Sequence, residues 1–203
     1  MSFIVSEDLA LKTLLTGITV ADEKNASRPV GVWFSTPDIE SRTQSYPYIT
    51  IELIDMQQAK NRMHSGIFVD NDLQGTIVPA SGYSYFYESP VTWNLVYQIT
   101  TYARHPRHDR MITAYLLNKI FVSDRGYLAV PNDLGTETSY RHLLLEEFVK
   151  RDTIEDNRRL YRSVFTVTVS SESNVDSYVY SKDATSVKIN DTTIHIPPGY
   201  QPI

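Results

Sequence analysis

The sequence predicts an α+β fold: a mainly antiparallel sheet with two helices packed on one side, a long β-hairpin arm and an extended C-terminal tail. Two segments repeat apolar residues at helical spacing, and several others alternate apolar and polar residues as strands do. The predicted order is a helix, two strands, a long excursion, a strand, a helix, a short strand, a long hairpin and a tail. Consecutive strands of this kind favour an antiparallel sheet that the helices cover.

The first helix is predicted to start at Ser6, whose hydroxyl can cap a helix, with Glu7 and Asp8 in the first turn. Apolar residues then repeat at helical spacing from Leu11 to Ile18, and Gly17 ends the segment.

The second helix is predicted to start at Pro106, where the chain turns after a strand. Ile112, Leu116 and Ile120 form its apolar stripe, and Gly126 is expected to close it.

The clearest strand signal is Thr92–Arg104, where Leu95, Tyr97 and Ile99 share one face with Trp93. Similar but shorter patterns predict strands at Val30–Phe34, Tyr48–Ile54 and Tyr127–Val130.

Two long strands, Leu143–Ile154 and Leu160–Ser171, are predicted to form a hairpin with Asp156 and Asn157 in its turn. A strand of twelve residues spans about 40 Å, so this hairpin is expected to cross the full width of the domain. Its charged outer part is expected to be solvated or to face a partner.

The domain organisation follows from these elements. We expect a single domain over residues 1–171, with an inserted excursion at 56–90, and a C-terminal extension at 172–203. The extension has too few apolar residues for a core of its own, so it is expected to pack on a neighbour or to stay mobile.

Composition excludes several classes of function. The chain has 203 residues, with 24 Asp and Glu residues against 19 Lys and Arg residues, a net charge of −5. A chain with this balance is a poor general binder of nucleic acid, because phosphate contacts require cations. The absence of cysteine excludes disulfides, thiolate nucleophiles and thiolate metal sites. No apolar stretch approaches the roughly 20 residues of a membrane span, and no signal peptide is visible, so a reducing cytoplasm is expected.

The sequence contains no phosphate-binding loop, nucleophile elbow or zinc-protease motif. The best metal candidate is the group His105, His108 and Asp109, two histidines three residues apart beside an acid. Flanking arginines would repel a divalent cation, so a polar helix start is the favoured interpretation. A small metal-binding hydrolase that uses these three residues stays open as an alternative.

Candidate contact residues are predicted from their positions along the chain. Arginines at the bend before the second helix are expected at subunit or lumen contacts. Arginines on the long hairpin are expected to meet acids of a neighbouring subunit, and alternating tyrosines of the excursion to line a subunit or partner surface. Ordinary solvated surface is the alternative for each of them. The three groups are Arg104, Arg107 and Arg110; Arg158, Arg159 and Arg162; and Tyr83, Tyr85 and Tyr87.

Several segments of the chain follow one another in an order that is similar to that of a known protein family. The stretch Tyr46-Pro47-Tyr48-Ile49-Thr50-Ile51 is followed, after the excursion, by the alternating strand Val91–Tyr102. A helix at Asp109–Phe121, a strand at Tyr127–Val130 and a final strand at Ser163–Ser171 complete the set. This order, which covers roughly residues 6–171, resembles the tail terminator proteins of long-tailed bacteriophages.

The resemblance implies a structural virion protein with no cofactor and no covalent chemistry. Such a protein forms a ring, commonly a hexamer, that caps the tail tube and joins it to the head connector. Its partners would be further copies of itself, the tail tube protein and the head connector protein. DNA would pass through the lumen without specific binding, and assembly would take place in the host cytoplasm. Another head–tail connector, a tail tube subunit or a baseplate subunit stays open as an alternative.

Overall fold

The computed structural model describes residues 3–21, 26–35, 45–63, 67–69, 83–88, 91–122, 126–131, 138–155, 157–173, 178–182, 186–189 and 192–195. The remaining parts of the predicted excursion and of the C-terminal extension lie outside the described residues. The chain divides into two compact units. One comprises Met1–Asn61 and Thr92–Ser173, and the other comprises Arg62–Val91 and Asn174–Ile203.

The described elements are two α-helices, a π-helical turn that extends the second helix, and fourteen strands. The helices are α1 (Val5–Leu15) and α2 (Pro106–Tyr115), and the π-helical turn is Leu116–Ile120. The strands are β1 (Thr19–Ala21), β2 (Ser27–Pro29), β3 (Gly31–Phe34), β4 (Tyr48–Gln58), β5 (Ile67–Val69), β6 (Tyr83–Glu88), β7 (Val91–Ala103), β8 (Gly126–Pro131), β9 (Thr138–Lys150), β10 (Thr153–Glu155), β11 (Arg158–Ser173), β12 (Tyr178–Lys182), β13 (Ser186–Ile189) and β14 (Thr192–His195).

The first unit is organised around a sheet with strand order β3-β4-β7-β11-β9-β8, in which β10 pairs with the start of β11. The pairs β4–β7, β8–β9, β9–β11 and β10–β11 are antiparallel, whereas β3 and β4 are parallel. Short strands β1 and β2 pair with each other. The predicted α+β class with a mainly antiparallel sheet and two helices is confirmed.

Both helices contribute to one hydrophobic core with the sheet. Leu11 of α1 and Ile112 of α2 belong to the same cluster of buried side chains as strand residues such as Ile99 and Phe165. On β7 the predicted alternation is confirmed, because Leu95, Tyr97 and Ile99 are fully buried. Trp93, which was expected on the same face, packs against this core while staying partly exposed.

The start of α1 differs from the prediction. The helix begins at Val5, so Ser6 lies inside the first turn, where it is buried, and does not cap it. Instead the Glu7 carboxylate accepts a hydrogen bond from the Ile4 backbone N–H at 2.9 Å. A carboxylate at this position satisfies one of the free N–H groups at a helix start.

The second helix starts at Pro106 as predicted, but Gly126 does not close it. The helix ends in the π-helical turn Leu116–Ile120, where the Phe121 N–H donates to the Leu116 carbonyl at 2.7 Å. Gly126 is the first residue of β8 and pairs with Leu143 of β9.

The predicted long hairpin is confirmed in its main features. Strand β11 runs for 16 residues, and β9 and β10 pair with it in succession. Asn157 has a φ of 56°, the left-handed conformation that asparagine tolerates in a tight turn. The register shifts between Thr166 and Val167, so a bulge interrupts the pairing of β9 and β11.

The second unit contains a three-stranded sheet in the order β12-β6-β5 and a hairpin of β13 and β14. All of these pairs are antiparallel. The three-stranded sheet therefore joins two strands of the excursion to one strand of the C-terminal extension.

No helix in the described ranges is both long enough and apolar enough to cross a membrane.

Candidate assembly surface

Three tyrosine rings lie side by side at one end of the large sheet. Tyr48 of β4 and Tyr102 of β7 are register partners, with ring centroids 4.6 Å apart and planes inclined by 19°. The Tyr46 ring lies 5.3 Å from that of Tyr48. Because the adjacent residues Ile49 and Thr101 are buried, strand alternation places the stacked rings on the sheet face opposite the helices. We call Tyr46, Tyr48 and Tyr102 the tyrosine stack.

An arginine closes the tyrosine stack at each end. The Arg104 guanidinium lies 4.8 Å from the Tyr46 ring centroid, and the Arg162 guanidinium lies 5.6 Å from that of Tyr102. Cation–π contacts of this kind contribute about 0.5–1 kcal/mol each at exposed sites. Arg104 also donates to the Arg158 carbonyl at 3.5 Å. The predicted bend arginines and hairpin arginines thus lie at the same end of the sheet.

Further basic residues lie at the same end of the sheet. Arg159 forms an ion pair with Asp152 at 2.8 Å and lies 5.2 Å from the Tyr161 ring centroid. Lys150 lies 5.7 Å from the same ring. Arg107 and Arg110, on the first turns of α2, are exposed, as are Arg151 and Arg158. We call the whole set the basic end; it consists of Arg104, Arg107, Arg110, Lys150, Arg151, Arg158, Arg159 and Arg162.

The candidate metal ligands have structural contacts instead. His105 caps α2, since its Nδ1 accepts a hydrogen bond from the Arg107 N–H at 3.3 Å. Asp109 is buried; its carboxylate accepts from the Ser163 hydroxyl at 3.1 Å and pairs with Lys150. Within the ranges that the structure describes, no three His, Asp or Glu side chains are gathered as a metal site. The geometry therefore favours the predicted polar helix start over the hydrolase alternative.

The tyrosines of the excursion form part of β6. Tyr83, Tyr85 and Tyr87 pair in register with Lys182, Tyr180 and Tyr178 of β12. On its other side β6 pairs with β5. The expectation of a partner surface on these three tyrosines stays a prediction.

Two acids, the buried Glu7 and the half-buried Asp8, join α1 to the sheet, whereas their sequence positions predicted only a helix start. Glu7 accepts a hydrogen bond from the Ser171 hydroxyl of β11, and Asp8 accepts one from the Tyr97 hydroxyl of β7 at 2.7 Å. Burial raises the pKa of the Asp8 carboxyl above its ordinary value of 3.8, the nearby charge of Glu7 adds to the rise, and the Tyr97 hydrogen bond opposes it. Burial and the contact with Asp8 also raise the pKa of Tyr97.

The raised pKa of Asp8 predicts a specific pH dependence of stability. As the pH rises above 3.8 the unfolded chain loses the Asp8 proton before the folded chain does, so the contribution of Asp8 to the stability of the wild-type protein falls through this window. The variant Asp8→Asn keeps an oxygen that can accept from Tyr97 but cannot ionise. We expect the free energy of unfolding of the variant, measured by urea titration, to rise relative to that of the wild type between pH 4 and neutrality. Parallel pH profiles for the two proteins would contradict this expectation.

The outer edge of β8 is open. In the described part of the chain, β8 pairs only with β9 and lies at the end of the sheet. Its side chains alternate between buried and exposed, with Tyr127 61% exposed. The neighbouring Tyr140 of β9, the register partner of Ala129, is 73% exposed on the same face. An uncharged strand edge beside two exposed tyrosines is a surface suited to assembly.

Comparisons with known proteins gave a structural likeness but no family or sequence match. No family model matches the chain, and no curated protein sequence matches it. Among solved structures, the chain is similar to the PVC sheath/tube terminator of an extracellular contractile injection system in its extended state, determined by cryo-EM. The TM-score is 0.45 and the sequence identity 14%, and the match covers 99% of this chain but only 66% of the other.

Proposed function

We propose that this protein is a structural subunit of a viral tail: a tail terminator that forms a ring, commonly of six copies, caps the tail tube and joins it to the head connector. The proposal starts from the order of segments over residues 6–171, which resembles that family. Within the confirmed fold, the observation that supports assembly most directly is the open edge at β8.

The composition of β8 supports strand addition. Soluble proteins usually protect an edge strand with charged residues, above all lysine. The six residues of β8, Gly-Tyr-Leu-Ala-Val-Pro, carry no charge, and only the proline at the end cannot donate a backbone hydrogen bond. A strand from another copy could therefore pair along most of this edge.

The large sheet has a second edge strand, β3. The large sheet begins at β3 and ends at β8, so its two edges belong to different strands. Joining β8 of one copy to a different surface of the next is a head-to-tail contact, and such contacts close into rings when the rotation permits. In a closed ring each copy covers the exposed edge of its neighbour.

The proposed role requires no chemistry from the chain. With a net charge of −5, a lumen formed by this protein would bind duplex DNA only weakly, so DNA could pass through it. Each ring face would then serve one partner, the tail tube on one side and the head connector on the other.

One set of experiments tests both the formation of a ring and the role of the β8 edge in it. Light scattering and negative-stain imaging of the purified protein should show a single-layered ring with a central hole. The variant Tyr127→Glu places a charge beside the open edge, and we expect it to weaken self-association at least about tenfold. Tyr115→Glu is a matched control, because Tyr115 is 43% exposed but lies on α2. This control should assemble as the wild type does.

Other outcomes would change the assignment. Long stacks of rings would indicate a tail tube subunit, since a terminator stops after one layer. A protein that stays monomeric at every concentration and adds to no tail tube would contradict the proposal. Association that is equally weakened by Tyr115→Glu and by Tyr127→Glu would remove the β8 edge from the interface.

A further inference from the structure

The charge of the chain is unevenly distributed. Segments 104–110 and 150–162 together carry eight of the 19 Lys and Arg residues and four of the 24 Asp and Glu residues. These two segments therefore have a net charge of +4, and the rest of the chain has a net charge of −9. The fold brings both segments to one end of the large sheet, since Arg104 contacts Arg158 and Asp109 contacts Lys150 and Ser163.

The basic end is only partly neutralised within the chain. Of its eight cations, Lys150 and Arg159 form the described ion pairs, with Asp109 and Asp152. Arg107, Arg110, Arg151 and Arg158 are exposed and form no ion pair in the ranges the structure describes. Cations that outnumber the acids beside them repel one another in an isolated subunit, and an external anionic surface would relieve this repulsion.

The tyrosines hold part of this charge in place. Arg104 and Arg162 lie over the rings of Tyr46 and Tyr102, and Arg159 lies over Tyr161. Arginine is the cation best suited to bind carboxylates through pairs of hydrogen bonds. Restricting these side chains in the free subunit lowers the entropy that would be lost on binding.

From these observations we infer that the basic end docks onto the acidic remainder of a second copy of this chain. The contact is heterologous, because the two surfaces that meet are different. This inference rests on the proposed function only in requiring that copies of the chain associate. It adds an electrostatic contact to the strand contact proposed at β8.

A second copy fits the charges better than nucleic acid does. The rest of the chain, from which the partner surface would come, has a net charge of −9, so the attraction is between opposite charges. Duplex DNA would meet the same +4 but would also be repelled by the rest of each subunit. Binding of DNA is therefore treated as a competing outcome of the test.

The test reverses the charge of the four arginines that form no ion pair in the described ranges. We expect the variant Arg107→Glu/Arg110→Glu/Arg151→Glu/Arg158→Glu to associate at least about tenfold more weakly than the wild type in sedimentation velocity. Wild-type association should also weaken between about 0.1 M and about 1 M NaCl, where the screening length falls from about 10 Å to about 3 Å. Lys60→Glu/Lys119→Glu is the control, since both lysines are exposed and lie outside the basic end. It should associate at least as tightly as the wild type, because it adds negative charge outside the basic end. Circular dichroism should show that both variants fold.

Mixing the reversed variant with the wild-type protein gives a result that a misfolded variant could not produce. The reversed variant keeps its acidic surface, so in a heterologous contact it should bind the basic end of a wild-type copy and stop further growth. Labelled variant should therefore appear in small mixed complexes as wild-type assemblies shrink. Failure of a folded variant to enter wild-type complexes would overturn the inference.

The outcomes separate this inference from the proposed function. A wild-type ring that survives about 1 M NaCl and tolerates the four reversals would overturn the docking contact but leave the ring standing. Open, salt-sensitive chains of subunits would support the contact and contradict a closed ring. Binding of a labelled DNA duplex to the basic end, with self-association unchanged by the reversals, would overturn the inference and assign this surface to nucleic acid.

Discussion

Replacing Phe165 with alanine is expected to lower the free energy of unfolding by about 3–5 kcal/mol, the usual cost of removing a large aromatic side chain from a core. Phe165 is fully buried on β11, and its ring lies 5.7 Å from that of Phe121 and 4.9 Å from that of Phe148. It therefore connects the segment after α2 to the long hairpin. Urea denaturation followed by tryptophan fluorescence would measure the loss.

Phe148→Ala provides the comparison for this core prediction. Phe148 packs on the same ring of Phe165 but is 40% exposed, so its removal leaves a smaller cavity. We expect a cost of about half that of Phe165→Ala or less. Equal losses for the two variants would show that the core does not centre on Phe165.

Gly126→Ala is the second change with a large expected effect. A Cβ atom at Gly126 would lie 2.4 Å from the Leu143 carbonyl oxygen, a contact with backbone that no side-chain rotation relieves. Strand β8 would have to move away from β9, and we expect a loss of about 2–3 kcal/mol. Because β8 carries the proposed assembly edge, the variant should also associate more weakly than the wild type.

Gly31→Ala is the matched control for this backbone contact. The three atoms nearest to a Cβ atom at Gly31 would all belong to the Trp33 side chain, the first at 2.9 Å, and Trp33 is 43% exposed. The ring can move aside, so the expected loss is below about 1 kcal/mol. If Gly126→Ala were as mild as Gly31→Ala, the close approach of β8 to β9 would not be a constraint on the fold.

Local patterns predicted the elements that have a buried face. Strand β7 follows from the alternation of Leu95, Tyr97 and Ile99, all of which are buried. Strands β1 and β2 were not predicted because they are three residues long, and Ser27–Pro29 is exposed throughout. Without a buried face, a strand leaves no periodic signal in the sequence.

The site residues were predicted only in part, for a related reason. The arginines at the bend and on the hairpin were found from sequence as two separate groups. Their meeting depends on the position of β11 beside β7, and the tyrosine stack depends on the register that sets Tyr48 opposite Tyr102. Likewise, Glu7 contacts a residue 164 positions away. Long-range pairings of this kind are not encoded in local spacing.

The pairing of β6 with β12 has a consequence for how the protein is made. At the elongation rates of ribosomes, about 5–20 residues per second, the 90 residues from Ser89 to Tyr178 take about 5–20 s to synthesise. During that interval β6 lacks one of its two neighbours, and its bare backbone could capture a strand from another nascent chain. Polysomes that translate this message would thus carry many copies of an incomplete sheet close together.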